Sequence, residues 1–339
     1  MELLSRDEFR GEVFKRDDYK CVVCKEPAKD AHHILERRLW DNGGYYPDNG
    51  ASLCEKHHIQ AEQTVLSCED IRKAAKIESI ILPEHLYEDN EYDKWGNILL
   101  SNGRRAKGEL FFDESVQKIL KEGNVLDSFT NYLKYPRTYH LPWSEGRTKD
   151  DRALSNTNHF EGKRVIVTVK MDGENTTMYS NYLHARSIDS LSHPSQSWVR
   201  NFHSQIKYNI PEEWRVCGEN LFAEHNIHYK ELPSYFMLFS IWNGLNECLS
   251  WDETKEWAEL LDVSVVPVIY DDIWNEDKIK KLYSNEYSGN MMEGYVVRIA
   301  DEFQYSQFRR SVAKYVRKDH IQEGVHQWRH KRIIKNELA

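Results

Sequence analysis

Two kinds of hydrophobic pattern divide the chain. From Lys134 onward, short β-branched and aromatic runs recur: RVIVTVKM (164–171), YFMLFSIW (235–242), SVVPVIY (264–270), EGYVVRI (293–299) and AKYV (313–316). Apolar runs of this length between polar turns predict strands. WDETKEWAELL (251–261) spaces its apolar residues as a helix does. This alternation predicts an α+β domain on antiparallel sheet over residues 130–339. Upstream the pattern is weaker. GELFFDESVQKILK (108–121) predicts a strand or turn leading into a helix, Ile71 to Ile81 a short helix, and YEDNEYDKWGN (87–97) an exposed connection. Residues 67–129 together read as a connecting region. The first 66 residues are dense in Cys and His, with Gly43, Gly44 and Pro47 marking a loop.

Length and composition narrow the class. The 339 residues suffice for two domains, and no apolar run is long enough to span a bilayer. The charged start, MELLSRDEFR, has no apolar stretch of the secretion-signal kind, so a cytoplasmic location is expected. Six cysteines in that setting fit metal ligands or free thiols better than disulfides. The net charge of −9 argues against nucleic acid as a partner, but its distribution argues otherwise. Between Arg309 and Lys335 stand nine basic residues (Arg309, Arg310, Lys314, Arg317, Lys318, Arg329, Lys331, Arg332, Lys335) and two acidic ones. Such a run suits phosphate binding.

Cys21-Val-Val-Cys24 and Cys54-Glu-Lys-His57 each separate two ligands by two residues, with 29 residues between the pairs. One tight turn can then present both side chains of a pair to a single tetrahedral Zn²⁺. So small a segment has little core, and zinc would supply much of its folding energy. Between and beyond the pairs lie His32, His33, Asn49, His58 and Glu62. Residues 8–64, beginning near FRGEVFKRDDYKCVVC, resemble the HNH (ββα-metal) endonuclease family. The resemblance implies His33 as the general base, Asn49 as the residue holding the loop that orients it, and His32 and His58 as ligands of a catalytic divalent ion. Glu62, one helical turn beyond His58, would join them. Relatives often carry His there, and the carboxylate favours Mg²⁺ or Mn²⁺. Arg37 and Arg38 are placed to meet phosphates of the scissile strand. The bland alternative is a zinc-stapled module that grips nucleic acid without cutting it.

RVIVTVKMDGEN sets Lys170 at the end of a β-branched strand, before an Asp-Gly turn. In order behind it come Arg186 in LHARS, Glu219 in VCGEN, Phe239 in the run YFMLF, Glu293 in EGYVVR and Lys314 in AKYVRK. Over roughly residues 130–320 this series resembles the ATP-dependent ligase and capping-enzyme superfamily of covalent nucleotidyltransferases, a fold unrelated to ATP-grasp. KYPRTYHLPWS (134–144) and AEHNIHY (223–229) look most like the branch that seals nicks in duplex RNA. The resemblance implies that Lys170 attacks the α-phosphate of ATP to form a lysyl-AMP. AMP then passes to a 5′-phosphate, and a 3′-hydroxyl displaces it.

The chemistry suits those residue types. A lysine nucleophile must lose its proton near neutral pH, so its pKa should be depressed by Lys314, by bound Mg²⁺ or by burial. Lys314 and Arg186 would offset phosphate charge, and Glu219 and Glu293 would hold divalent metal or ribose hydroxyls. Phe239 offers a face for the adenine, and Asp172 would orient Lys170 or the metal. The family's usual second lysine is replaced by Val316, followed by Arg317, leaving the triphosphate contact open between them. Twenty-five residues follow Lys314, fewer than an OB-fold needs, which favours RNA ligase over DNA ligase or capping enzyme. The expected whole is an RNA-repair ligase fused to a nuclease or nucleic-acid-binding module, acting on nicked or broken RNA. A nuclease-led end-processing protein and a DNA ligase are the alternatives.

Overall fold

The computed structural model describes residues 2–148, 151–188, 193–318 and 333–339. It has two compact units, 1–133 and 134–339. Arg329, Lys331 and Arg332 of the basic run lie outside the described residues.

In the first unit, helix α1 (Arg6–Arg16) opens on a capping box in which Ser5 and Glu8 satisfy each other's backbone N–H groups. Strands β1 (Asp30–His33) and β2 (Gly50–Leu53) pair antiparallel, and β2 runs through Cys54 into α2 (Glu55–Glu62). Then comes α3 (Cys68–Ala75), which stops at Lys76 in the left-handed conformation. The helix expected over Ile71 to Ile81 therefore begins earlier and ends sooner. Ser67, accepting from the Asp70 N–H, fixes its start.

Strands β3 (Glu91–Tyr92), β4 (Ile98–Leu99) and β5 (Arg105–Ala106) form a small sheet, followed by α4 (Glu114–Glu122). Here the sequence reading needs correction. Only the first half of YEDNEYDKWGN is an exposed connection: Glu88, Asp89 and Glu91 are exposed, whereas Tyr92, Asp93, Lys94, Trp95 and Asn97 are all buried. Their polar groups find partners inside. Asp93 accepts from Asn97 and Arg105, and the Trp95 indole N–H donates to the Glu62 carbonyl at 2.8 Å. Residues 67–129 thus pack in the same unit as the first 66.

The second unit is α+β on two mainly antiparallel sheets. One strand precedes the lysine motif, β6 (Tyr139–His140), and β7 (Arg164–Val169) leads into it. Next come β8 (Glu174–Met178), β9 (Leu183–Ala185), α5 (Ser197–Ile206), β10 (Arg215–Asn220), β11 (Phe236–Trp242) and β12 (Glu247–Cys248). They are followed by α6 (Trp251–Leu260), β13 (Val268–Ile273), α7 (Glu276–Lys280) and the hairpin β14 (Glu286–Tyr287) and β15 (Asn290–Met291). The unit closes with β16 (Gly294–Ile299), β17 (Phe303–Gln304), α8 (Phe308–Ser311) and β18 (Val312–Val316).

The sheets run β17-β12-β11-β10-β8-β9 and β13-β7-β16-β18-β6. Their apolar faces bury one large cluster that includes Val165, Val167, Trp242, Tyr295 and Val297. The strand expected over SVVPVIY begins only at Val268, because Pro267 has no N–H to give the ladder. Residues 333–339 lie along the segment 221–235, with Asn336 buried and bonded to Leu221, Tyr229 and Tyr235.

Candidate functional site

The second unit gathers its charged groups where β7, β16 and β18 lie side by side. The Lys170 N–H donates to the Gly294 carbonyl, which brings Glu293 to the lysine. Lys170 Nζ then lies 2.6 Å from Glu293 Oε2. Glu219, on β10, accepts from the Gly173 N–H at 3.1 Å. Lys314, on β18, pairs with Val296 in the ladder and sits close enough to feel Lys170, Glu293 and Arg186. Arg186 and Glu219 line a cavity of about 490 Å³ with Lys134, Arg137, Gly173 and His225.

Electrostatics there are dominated by carboxylates. Burial lowers the Lys170 pKa, but Glu293, Glu219 and Asp172 outweigh it, and the net shift is upward. The expected depression of Lys170 is thus not what this set of side chains produces by itself. Lys314 takes the depression instead, pushed down to about 8 by burial and by Lys170 against the pull of Asp151 and Glu293. Burial pushes Glu219 up to about 8, with Lys170 opposing and Glu293 and Asp172 adding.

Three expectations read differently in three dimensions. Asp172 acts on Lys170 by its charge and is itself held by the backbone: its Oδ2 accepts the N–H groups of Asn226 (2.7 Å) and Ile227 (2.9 Å), tying the AEHNIHY segment to the lysine turn. Its own N–H donates to the Tyr229 hydroxyl at 2.8 Å. Phe239 falls at a β-bulge, where Cys217 pairs with Ser240 but Gly218 with Leu238, leaving Phe239 without a partner in the ladder. Its half-buried ring meets Tyr135 edge-on at 5.2 Å. Val316 is a buried strand residue whose N–H donates to Ser144 Oγ, while Arg317 Nη2 rests 3.0 Å from Met291 Sδ. The described basic residues after Arg309 are spread over α8, β18 and the last segment, where Lys335 lies over the Phe222 ring.

In the first unit, one donor atom from each of Cys21, Cys24, Cys54 and His57 lies within 4.8 Å of the others. Cys54 Sγ is 3.2 Å and Cys21 Sγ 3.5 Å from His57 Nδ1, and Cys24 and Cys54 Sγ are 3.7 Å apart. Tetrahedral Zn²⁺ with bonds of about 2.0–2.3 Å needs ligand separations of roughly 3.3–3.8 Å, so the four residues fit it.

His32, His58 and Glu62 form a second group. Glu62 Oε1 is 3.4 Å from His32 Nδ1 and 3.4 Å from His58 Nε2. His32 is buried, and among the described residues neither ring nitrogen has a hydrogen-bond partner, which suits a metal ligand. Lys94 Nζ also stands 3.1 Å from Glu62, a cation that the charged run 87–97 gave no reason to expect here. Alternation along β1 turns His33 away from His32. Its ring stacks on Phe9 at 4.5 Å and lines a cavity of about 510 Å³ with Arg6, Arg10, Asp30, Arg37 and Tyr45. Burial, then Lys94, pushes His32 down to about 3 and His33 to about 4. Asn49 is buried, accepts from the Leu35 N–H and donates to the Leu35 and Gly44 carbonyls. Arg38 is drawn to Asp113 at 2.7 Å.

Residues 163–316 match the family described as RNA ligase. No curated protein matches the chain. Among solved structures, an Asp-to-Ala variant of Naegleria gruberi RNA ligase without ligand is similar, at 16% identity and a TM-score of 0.39, over 54% of this chain and 57% of that one. A Glu-to-Ala variant of the same ligase with ATP and manganese gives 16% identity and a TM-score of 0.40 over 56% and 57%. The ligase with pyrophosphate gives 17% and 0.38 over 54% and 57%. The chain thus spans little more than half the length of these structures. No described helix is long and apolar enough to cross a membrane.

Proposed function

We propose that the chain is an ATP-dependent RNA ligase that joins 5′-phosphate and 3′-hydroxyl ends through an AMP adduct on Lys170. The observation that carries this reading is Lys170 Nζ, 2.6 Å from Glu293 and grouped with Glu219 and Lys314, inside the stretch that matches the RNA ligase family.

Lys170 Nζ attacks the α-phosphorus of ATP, a P–N bond forms, and the P–O bond to pyrophosphate breaks. The ammonium must first give up a proton, and Glu293 Oε2 is the acceptor in reach. Lys314 and Arg186 face the phosphates and offset the charge that moves onto the leaving group. Phe239 would offer a ring face to the adenine. Glu219 and Glu293 are the residues that would hold Mg²⁺ or Mn²⁺, since with Asp172 they gather three carboxylates around Lys170. Such an ion adds positive charge beside Lys170, lowering its pKa and keeping Glu219 ionised. With labelled ATP and Mg²⁺ the chain should take up a covalent label, stable to alkali and labile to acid as a P–N bond is, that Lys170→Ala abolishes. Full labelling of Lys170→Ala would overturn the assignment. Sealing of nicked RNA/RNA against DNA/DNA duplexes separates RNA ligase from DNA ligase.

For the first unit, a zinc-stapled module, the orphaned nitrogens of His32 favour a second reading, cleavage of phosphodiester bonds of the HNH kind. His33, neutral at pH 7, would be the base and Asn49 would hold its loop. His32, His58 and Glu62 would hold Mg²⁺ or Mn²⁺, which activates the phosphate. In a Lys170→Ala background, nicking of RNA or DNA should vanish on His33→Ala while zinc is retained. Equal nicking without His33, or none in its presence, leaves a nucleic-acid-binding module.

A further inference from the structure

The run KYPRTYHLPWS places His140 directly beside Lys314: the two are partners in the parallel pairing of β6 with β18. The chain then turns back. The His140 N–H donates to the Arg152 carbonyl and the Leu154 N–H to the His140 carbonyl, both at 2.8 Å, so Asp151 returns to the same strand. The Thr148 N–H and hydroxyl occupy Asp151 Oδ2 at 3.0 and 2.9 Å. Oδ1 is left for two neighbours, His140 Nε2 at 3.5 Å and Lys314 Nζ at 3.8 Å.

Ser144 Oγ accepts the Val316 N–H at 2.9 Å, lies 2.7 Å from His140 Nδ1 and stands 3.4 Å from the Val316 carbonyl. When the hydroxyl donates to Nδ1, the shorter of its two contacts, the imidazole proton is on Nε2, facing Asp151. Burial, against Asp151, holds His140 below its ordinary range and hence neutral. The order Ser, His, carboxylate is not a nucleophile's triad, because Ser144 is fully buried and bound to the backbone of β18.

We propose that His140 and Asp151 are positioning residues for Lys314, holding its ammonium at the phosphate side of the nucleotide site. The proposal rests on the ligase reading. A lysine carries its charge on a flexible four-carbon stem, and a carboxylate held by two bonds from Thr148, with His140 packed beside it, restricts where that charge sits. Asp151 also answers the cations that crowd Lys314. Facing Lys314 are Lys170 after β7, Arg186 after β9, Glu293 before β16, and Asp151 with neutral His140. Among these, Asp151 and Glu293 alone favour its charged form.

The test measures AMP-adduct formation by the full chain across pH 6–9.5, for the parent and for Asp151→Asn, with His140→Gln as a second variant. Loss of the Asp151 charge lowers the Lys314 pKa, so the alkaline limb should move to lower pH by about one unit, a roughly tenfold loss on that limb. The KM for ATP should rise, and His140→Gln should move both in the same direction by less. A merely structural role would scale the rate equally at every pH, and that result, or no change, overturns the proposal. In parallel, the reactivity of Lys314 toward an amine-selective reagent is followed by mass spectrometry against pH. Its midpoint should fall in Asp151→Asn, and an unchanged midpoint refutes the pairing even if the parent forms no adduct, an outcome that by itself counts against the ligase reading.

Discussion

Asp172→Ala is the sharpest test of how the lysine turn is held. The Asp172 carboxylate is buried and accepts two backbone N–H groups on one oxygen, from Asn226 at 2.7 Å and Ile227 at 2.9 Å, with Asn226 Nδ2 at 3.4 Å on the other. Alanine leaves both backbone N–H groups without that acceptor. A buried donor left unsatisfied costs about 1–3 kcal/mol, so the pair should cost roughly 2–5 kcal/mol. If the segment 223–229 opens locally, its amides exchange faster by the matching factor, about 30- to 3,000-fold at 1.4 kcal/mol per decade. Asp172→Asn can still accept at one oxygen and should lose only part of this, about 1–2 kcal/mol, because its acceptor is neutral. Hydrogen exchange of Asn226 and Ile227, followed by mass spectrometry or NMR, reads the effect without any activity assay. Exchange in Asp172→Ala as slow as in the parent would refute the claim that this carboxylate clamps the two segments.

Cys21→Ser should reduce bound zinc from about one per chain toward none and destabilise residues 1–133 by several kcal/mol, while leaving AMP-adduct formation in place. Elemental analysis and thermal unfolding check this, and parent protein free of zinc after growth in zinc-sufficient medium contradicts it. A pH dependence follows from His184, which burial pushes down to about 4 although its ring bonds to the Ala185 carbonyl. Unfolded histidine titrates near 6.5, so this contribution is intact above about pH 6.5 and is lost as pH falls toward 4, amounting to roughly 2–4 kcal/mol. His184→Gln should flatten the fall of Tm with pH in that window, and an unchanged slope would assign the pH dependence to other groups.

The sequence alone determined whatever depends on near neighbours. Strand β7 was legible because RVIVTV is β-branched and has too few polar positions for a helix face, and the turn at Asp172-Gly173 ends it beside Lys170. The grouping of Cys21, Cys24, Cys54 and His57, which fits a zinc ion, was legible because two residues between the members of each pair make one turn. Lys170 and Glu293 stood out through their motifs, not through any visible relation between them.

Tertiary structure decided what depends on partners far along the chain. Asp93, Lys94 and Asn97 look solvent-bound in a run of charges, but Arg105, Glu62 and the turn's own backbone give them partners, so the segment can be buried. Asp172 reads as a companion of Lys170, and its spacing gives no sign that Asn226 and Ile227, more than fifty residues on, also bond its Oδ2. The extra residue at Phe239 exists only as a mismatch between two strands. Which lysine has its pKa lowered was also undecidable from spacing. That sign is a sum over Glu293, Glu219, Asp172, Asp151 and Arg186, and Coulomb terms follow distance in space while sequence records only order.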